Sequence, residues 1–208
     1  MRTIGIAGGV ASGKSVVAEQ LRQLGAISID ADRIGHEVLR QTEVQREARE
    51  RWGARVFSDN GEIDRRELAK IVFGGDSGEE LMFWESIMFP RIRVVLEKKL
   101  ADLRSQDIAA AIVDAAVMFK ANWDRMCDVI IYVDAAEEVR LARARLRGWT
   151  AKQFAAREAA QASLGVKRAK ADFVIDNNHS LDKTKAQTKQ FWLSLDSSPK
   201  KDLPSSEA

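Results

Sequence analysis

Gly8-Gly9-Val10-Ala11-Ser12-Gly13-Lys14-Ser15 follows directly on the apolar run Thr3-Ile4-Gly5-Ile6-Ala7 and spells the pattern G-x-x-x-x-G-K-[ST]. Glycines let the main chain curl until several N–H groups point at one anion, and the following helix presents its positive end to the same place. The stretch therefore reads as a phosphate-binding loop, with Gly9, Val10, Ala11, Ser12, Gly13, Lys14 and Ser15 around the phosphates of a nucleoside triphosphate. Lys14 is suited to reach the β- and γ-phosphates, and Ser15 to ligate Mg²⁺. Behind the loop, Val17, Leu21 and Leu24 recur at helical spacing until Gly25 stops the helix.

Working outward, five short β-rich stretches can be read, at residues 2–7, 26–29, 109–113, 129–133 and 173–175. Near-continuous apolar strands alternating with helical sequence require a parallel sheet covered on both faces, so the chain is expected to be a doubly wound α/β protein. Its ligand then belongs at the carboxyl ends of the strands. The interval 33–106 is too long for one crossover, and its helical patterns are interrupted by Gly53, Asp59-Asn60-Gly61, Gly74-Gly75 and Pro90. It reads as an inserted helical subdomain within a single domain spanning 1–193. The segment 194–208, with two prolines and five serines, is expected to be a disordered tail.

Composition excludes several functions. Charged residues make up 31% and hydrophobic ones 45% of 208 residues, which is globular, and a net charge of +2 gives no global attraction to nucleic acid or anionic lipid. No apolar run approaches the roughly 20 residues that span a bilayer, and Met1-Arg2-Thr3 leads into the phosphate loop rather than a cleavable signal. A cytoplasmic protein without nucleic-acid or membrane partners, and with no obligate protein partner evident, is expected. Cys127 is the one cysteine, so no intramolecular disulfide forms, and it reads as a small packed side chain.

Three further groups bear on the chemistry. Asp30-Ala31-Asp32 follows the second strand, and alternation along an extended chain would put both carboxylates on one side beside the loop. One of them can accept the proton of an attacking hydroxyl, or either can simply cap the next helix. Asp114 ends the third strand, where such sheets reach the hydrated Mg²⁺, although a strand-terminal aspartate is also a turn former. Within 137–170, nine Lys or Arg residues face a lone acid, Glu158, once Glu137 and Glu138 are passed. Arg140, Arg143 and Arg147 share one helical face, with Arg157 and Lys167 following, as a helical lid closing over ATP requires. Only Trp149 and Phe154 interleave there, too few aromatics for a nucleic-acid surface.

Together these motifs resemble the dephospho-coenzyme A kinase family. The resemblance covers most of 1–178 and rests on the loop, on Ile29-Asp30-Ala31-Asp32, on Gly61-Glu62-Ile63-Asp64-Arg65 with Leu68, on Arg157 to Gln161, on Lys167-Arg168-Ala169-Lys170-Ala171-Asp172 and on Asp176-Asn177-Asn178. It implies a P-loop NTPase three-layer sandwich around a five-stranded parallel sheet, with 33–106 receiving the coenzyme A moiety and 137–170 as lid. By that resemblance the γ-phosphate of ATP, with Mg²⁺, passes to the ribose 3′-hydroxyl of dephospho-coenzyme A. Asp32 takes the place of the base, Lys14 and Ser15 contact phosphate and metal, Arg143 or Arg147 supplies the lid arginine, and Asn177, in the stretch that matches the family's ending, is placed in the nucleotide site.

Two departures fall where the acceptor is expected. The family's His-Pro pair is Phe89-Pro90 here, and its Asp-x-Pro-Leu-Leu-Phe-Glu becomes Asp114-Ala115-Ala116-Val117-Met118-Phe119-Lys120. They motivate two alternatives: a P-loop kinase for another small hydroxylated acceptor, or a nucleotide-binding protein without catalysis.

Overall fold

A computed structural model of the chain describes residues 1–74 and 78–195. Its contacts group into two compact units, Met1–Ile29 with Leu100–Ala208, and Asp30–Lys99.

The first unit is built on β1 (Arg2–Gly8), with β2 (Ile27–Asp30), β3 (Ala110–Asp114), β4 (Val129–Asp134) and β5 (Phe173–Asp176). The strand order is β2-β3-β1-β4-β5, and the β1–β3, β1–β4 and β4–β5 pairings are parallel. All five expected strands are present within a residue or two of their expected bounds. Ile4 registers with Ile112 on one side and Val129 on the other, so the apolar runs read from the sequence stack across the sheet centre. Helices α1 (Lys14–Gln23) and α9 (Leu181–Ser194) cover one core, in which Ile4, Ile6, Val17, Leu21, Ile131 and Phe191 are buried. Two side chains satisfy strand-entry amides: Asp128 accepts from the Thr3 N–H at 2.7 Å, and Asp172 accepts from the Ile130 N–H at 2.8 Å.

Gly5 is required by a close approach. A Cβ there would lie 2.9 Å from the Cys127 Sγ and 3.0 Å from the Met118 Sδ. Cys127 is 1% exposed, in keeping with its reading as a packed side chain. Ser194 ends α9, and the rest of the expected tail, 196–208, lies outside the described residues, as does Gly75.

The second unit begins at Asp30 rather than residue 33 and ends at Lys99 rather than 106. It contains α2 (Ala31–Val38), α3 (Thr42–Trp52), α4 (Arg65–Gly74) and, as far as Lys99, α5 (Glu79–Arg104). Its core is aromatic: Trp52 packs edge-on against Phe83 at 5.4 Å between ring centroids and lies 5.7 Å from Trp84, over buried Val56, Leu68 and Val72. Glu80 accepts from the Trp52 indole N–H at 2.5 Å and pairs with Arg51.

Pro90 does not interrupt the helical pattern as expected but lies inside α5. Proline removes one helical hydrogen bond. Ile87, Met88, Ile92 and Leu96 flank it as buried residues, and Arg91 folds back to donate to the Ile87 carbonyl at 2.8 Å. Burial on both sides of the proline outweighs the lost bond.

Candidate active site

The connection from β1 leaves toward β2 and that from β4 toward β5, on opposite sides of β1, so the sheet has its switch point where the phosphate loop emerges. The loop is held in a shape that presents its amides. Ala11, at φ 59°, and Gly13, at φ 100°, adopt left-handed conformations. Gly13 is required twice over, since a Cβ would also strike the side chain of Asn177. Gly13 precedes α1 with no side-chain cap, which leaves the first amides of that helix to an anion. Ser12 is wholly buried, and its hydroxyl has no partner among the described residues. An orphaned hydroxyl in a loop of left-handed turns fits a bound phosphate.

Lys14 folds back, donating to the Gly9 carbonyl at 2.9 Å and the Gly8 carbonyl at 3.3 Å. Burial pushes its pKa down, with Arg140 and Arg147 acting the same way and Asp114 opposing them. Ser15 is exposed on the first turn of α1, and Asp114 is half-buried at the end of β3. A hydroxyl and a carboxylate are hard oxygen donors of the kind Mg²⁺ takes. Among the described residues no cluster of three or more His, Cys, Asp or Glu side chains forms a self-sufficient metal site. A nucleotide-bound Mg²⁺ needs none, because phosphates and water complete its shell.

The basic segment comprises α6 (Glu137–Leu146), α7 (Ala151–Ala159) and α8 (Leu164–Ala169). It is not the single face of free guanidinium groups that helical spacing suggested. Arg140 is 2% exposed, paired with Glu158, and donates to the Ala135 carbonyl at 3.0 Å. Arg143 is half-buried, and its guanidinium donates to the Ser12 carbonyl at 3.0 Å and the Asn177 carbonyl at 2.8 Å. Burial pushes its pKa down, and Arg147 adds to the effect. Arg147 itself follows the end of α6, exposed, with its charge felt at Lys14. Below the loop, Val10, Ala11, Ala144 and Phe154 pack together with Leu141 and Trp149. The spacing of arginines on a helix says which face they share, not which of them the protein buries.

Asn177 is 5% exposed and braces the loop from behind. Its amide donates to the Ser12 carbonyl at 2.6 Å, and its side-chain oxygen accepts from the Thr184 hydroxyl at 2.7 Å. Lys167, read from the sequence as part of the basic segment and of the stretch to Asp172 that carries the resemblance, is 4% exposed and donates to the Gly8 carbonyl at 3.3 Å and to Gln161 Oε1 at 2.7 Å.

In the second unit the expected alternation at Asp30-Ala31-Asp32 does not hold, because β2 ends at Asp30 and α2 starts at Ala31. Asp30 is the helix cap, accepting from the Arg33 N–H at 3.0 Å. Asp32 sits in the first helical turn, free of the capping role. The residue is exposed, yet surrounding protein partly desolvates its carboxyl and Asp30 repels its charge, so its pKa is raised, with His36 and Arg65 opposing. His36, Arg40, Glu62 and Arg65 line a small cavity of about 140 Å³ in this unit.

A parallel α/β sheet with this loop at its switch point defines a P-loop kinase fold. The shikimate kinase from Acinetobacter baumannii has that fold, superposing with a TM-score of 0.50 at 16% identity over 96% of each chain. The family model for dephospho-CoA kinase matches residues 2–183, and the chain belongs to that family. It is 38% identical to the dephospho-CoA kinase of Symbiobacterium thermophilum over 92% of this chain and 80% of that one. It is 35% identical to that of Geobacter sulfurreducens over 92% of this chain and 98% of the relative. A crystal structure from Thermus thermophilus superposes with a TM-score of 0.78 at 28% identity, covering 93% of this chain and 97% of that one. No helix among the described residues is long and apolar enough to cross a membrane.

Proposed function

We infer that the protein transfers the γ-phosphate of ATP to the ribose 3′-hydroxyl of dephospho-coenzyme A, giving coenzyme A and ADP. Membership of the family carries this reading, and the observation in the molecule that supports it most is the phosphate loop with its open helix end and orphaned Ser12 hydroxyl. Amides of residues 9–15 bind the β- and γ-phosphates. Lys14 turns from the Gly8 and Gly9 carbonyls toward them, an exchange of neutral for anionic acceptors that favours its charged form. Ser15 and Asp114 would hold Mg²⁺, which supplies charge neutralisation at the phosphates. Arg143 keeps the loop in shape through Ser12, and Arg147, exposed at the end of α6, is the arginine available to the transferring group. The segment 137–170 acts as the lid and Asp30–Lys99 as the acceptor-binding unit.

Asp32 accepts the 3′-hydroxyl proton on its carboxylate. The acceptor oxygen bonds to the γ-phosphorus as the bond from that phosphorus to the β–γ bridging oxygen breaks, and ADP leaves. A carboxylate with a raised pKa is a better base than an ordinary aspartate.

Purified protein incubated with Mg·ATP and dephospho-coenzyme A, followed by mass-resolved chromatography, tests the reading. Stoichiometric coenzyme A and ADP are expected, with Lys14→Ala reducing turnover roughly 100- to 1,000-fold, as for loss of a transition-state charge contact. Bound ATP without coenzyme A would overturn it and turn attention to another acceptor at Phe89 and Lys120.

A further inference from the structure

Two ammonium groups converge on one carbonyl at the head of the phosphate loop. Lys14 and Lys167 each reach the Gly8 oxygen at 3.3 Å; Lys14 also holds Gly9, and Lys167 also holds Gln161. Their exposures differ in kind. Lys167 is 4% exposed although it lies on the short α8, whose preceding residue Val166 is 47% exposed, so its side chain is directed inward under the loop. A phosphate-binding loop does not of itself call for a second lysine there.

We propose that Lys167 is a positioning residue of the phosphate loop: it keeps the Gly8 carbonyl paired when ATP draws Lys14 away to the phosphates, with Gln161 setting the place of its ammonium. Gly8 is the last residue of β1 and is buried, so its carbonyl has no ready solvent partner once Lys14 leaves. An acceptor left unpaired in such a place carries a penalty that would appear only in the ATP complex. The charges around Lys167 suit this exchange. Burial brings its pKa down to about 8, with Lys14 and Arg140 adding repulsion and Glu158 opposing it. Phosphates that compensate Lys14 relieve that repulsion, so Lys167 is held more firmly in its charged form as ATP arrives.

The inference rests on the reading of Lys14 as the phosphate-binding lysine. Mg·ATP is titrated calorimetrically into the full chain and into Lys167→Met, Lys167→Arg, Gln161→Leu and Lys14→Ala, and the ligand-free proteins are melted in parallel. Lys167→Met should bind ATP roughly 10- to 100-fold more weakly, the range for one charge-assisted hydrogen bond, with a ligand-free melting temperature equal to or above that of the parent. Lys167→Arg should recover most of the loss, and Gln161→Leu should show a smaller loss in the same direction. Unchanged ATP affinity in Lys167→Met and Gln161→Leu overturns the proposal, as does a loss matched by lower ligand-free stability. Normal ATP binding by Lys14→Ala would instead sink the reading of Lys14, and the proposal with it. Should Lys167→Met not fold, Gln161→Leu decides alone.

Discussion

The two units stabilise their polar groups in opposite ways. Around the phosphate loop, polar side chains end on main-chain carbonyls, three of them from remote parts of the chain: Arg143 and Asn177 on Ser12 and Lys167 on Gly8, where Lys14 of the loop itself joins it. In Asp30–Lys99 the charges pair with one another near the surface, as in Arg51 with Glu80 and Arg91 with Glu47, and the interior is a cluster of rings around Trp52. The first arrangement fixes a backbone, which suits an anion whose shape does not vary. The second leaves the backbone to a hydrophobic core and the charges to solvent, which suits a surface where specificity can change without disturbing the fold.

The contrast can be broken most severely at Asp32. Asp32→Asn should lower kcat roughly 100- to 10,000-fold, the span of general-base assistance, while ATP binding stays at the parent value by calorimetry. In the parent, the rate should fall as pH drops and Asp32 takes up a proton. Because its pKa is raised, that fall begins at a higher pH than for an ordinary aspartate and is absent from the residual rate of Asp32→Asn. A variant that loses ATP affinity as well would show that the division of labour between the units is not clean.

Next in size, Trp52→Ala removes the ring at the centre of the aromatic cluster and should cost about 3–5 kcal/mol of stability. If the two units are as distinct as their packing suggests, denaturant unfolding becomes biphasic and ATP binding persists through the first phase. A single transition at lower denaturant would show that they unfold together.

The smallest effect is expected at Lys120, exposed in the turn after β3. Restoring an acid there with Lys120→Glu should change the KM for dephospho-coenzyme A roughly two- to fivefold, the scale of an exposed charge contact, and leave that for ATP unchanged. Steady-state kinetics with each substrate varied in turn reads this directly.

Much of the phosphate-binding half was legible because its determinants are local. A loop of adjacent residues and five apolar strands carry their meaning in spacing alone, and both are found where that spacing put them. Asp30 and Asp32 were legible as a pair, and capping as one reading of either, but not in their orientation, because the switch from strand to helix at Ala31 cancels the alternation from which it was read. Arg140, Arg143 and Lys167 were legible as a basic stretch, with Arg143 a candidate lid arginine and Lys167 part of a family motif, but not in what they bond. Whether a guanidinium faces solvent, an acid or a carbonyl depends on groups outside its own helix, which for Arg143 lie more than a hundred residues away, at Ser12. Pro90 misled for the same reason: its helix persists through burial that no window around the proline records.

Cys127 closes off a different hazard. Coenzyme A and its precursor both end in a thiol, so an enzyme that works among them meets thiols and their disulfides continually, and an accessible cysteine would be open to exchange with them. The single sulfhydryl of this chain lies behind Gly5 at the centre of the sheet, where any side chain larger than hydrogen would collide with it. At 1% exposure it is closed to an attacking disulfide. The same packing that lets β1 run past the sulfur makes the protein chemically silent toward the reactive end of the molecule it handles.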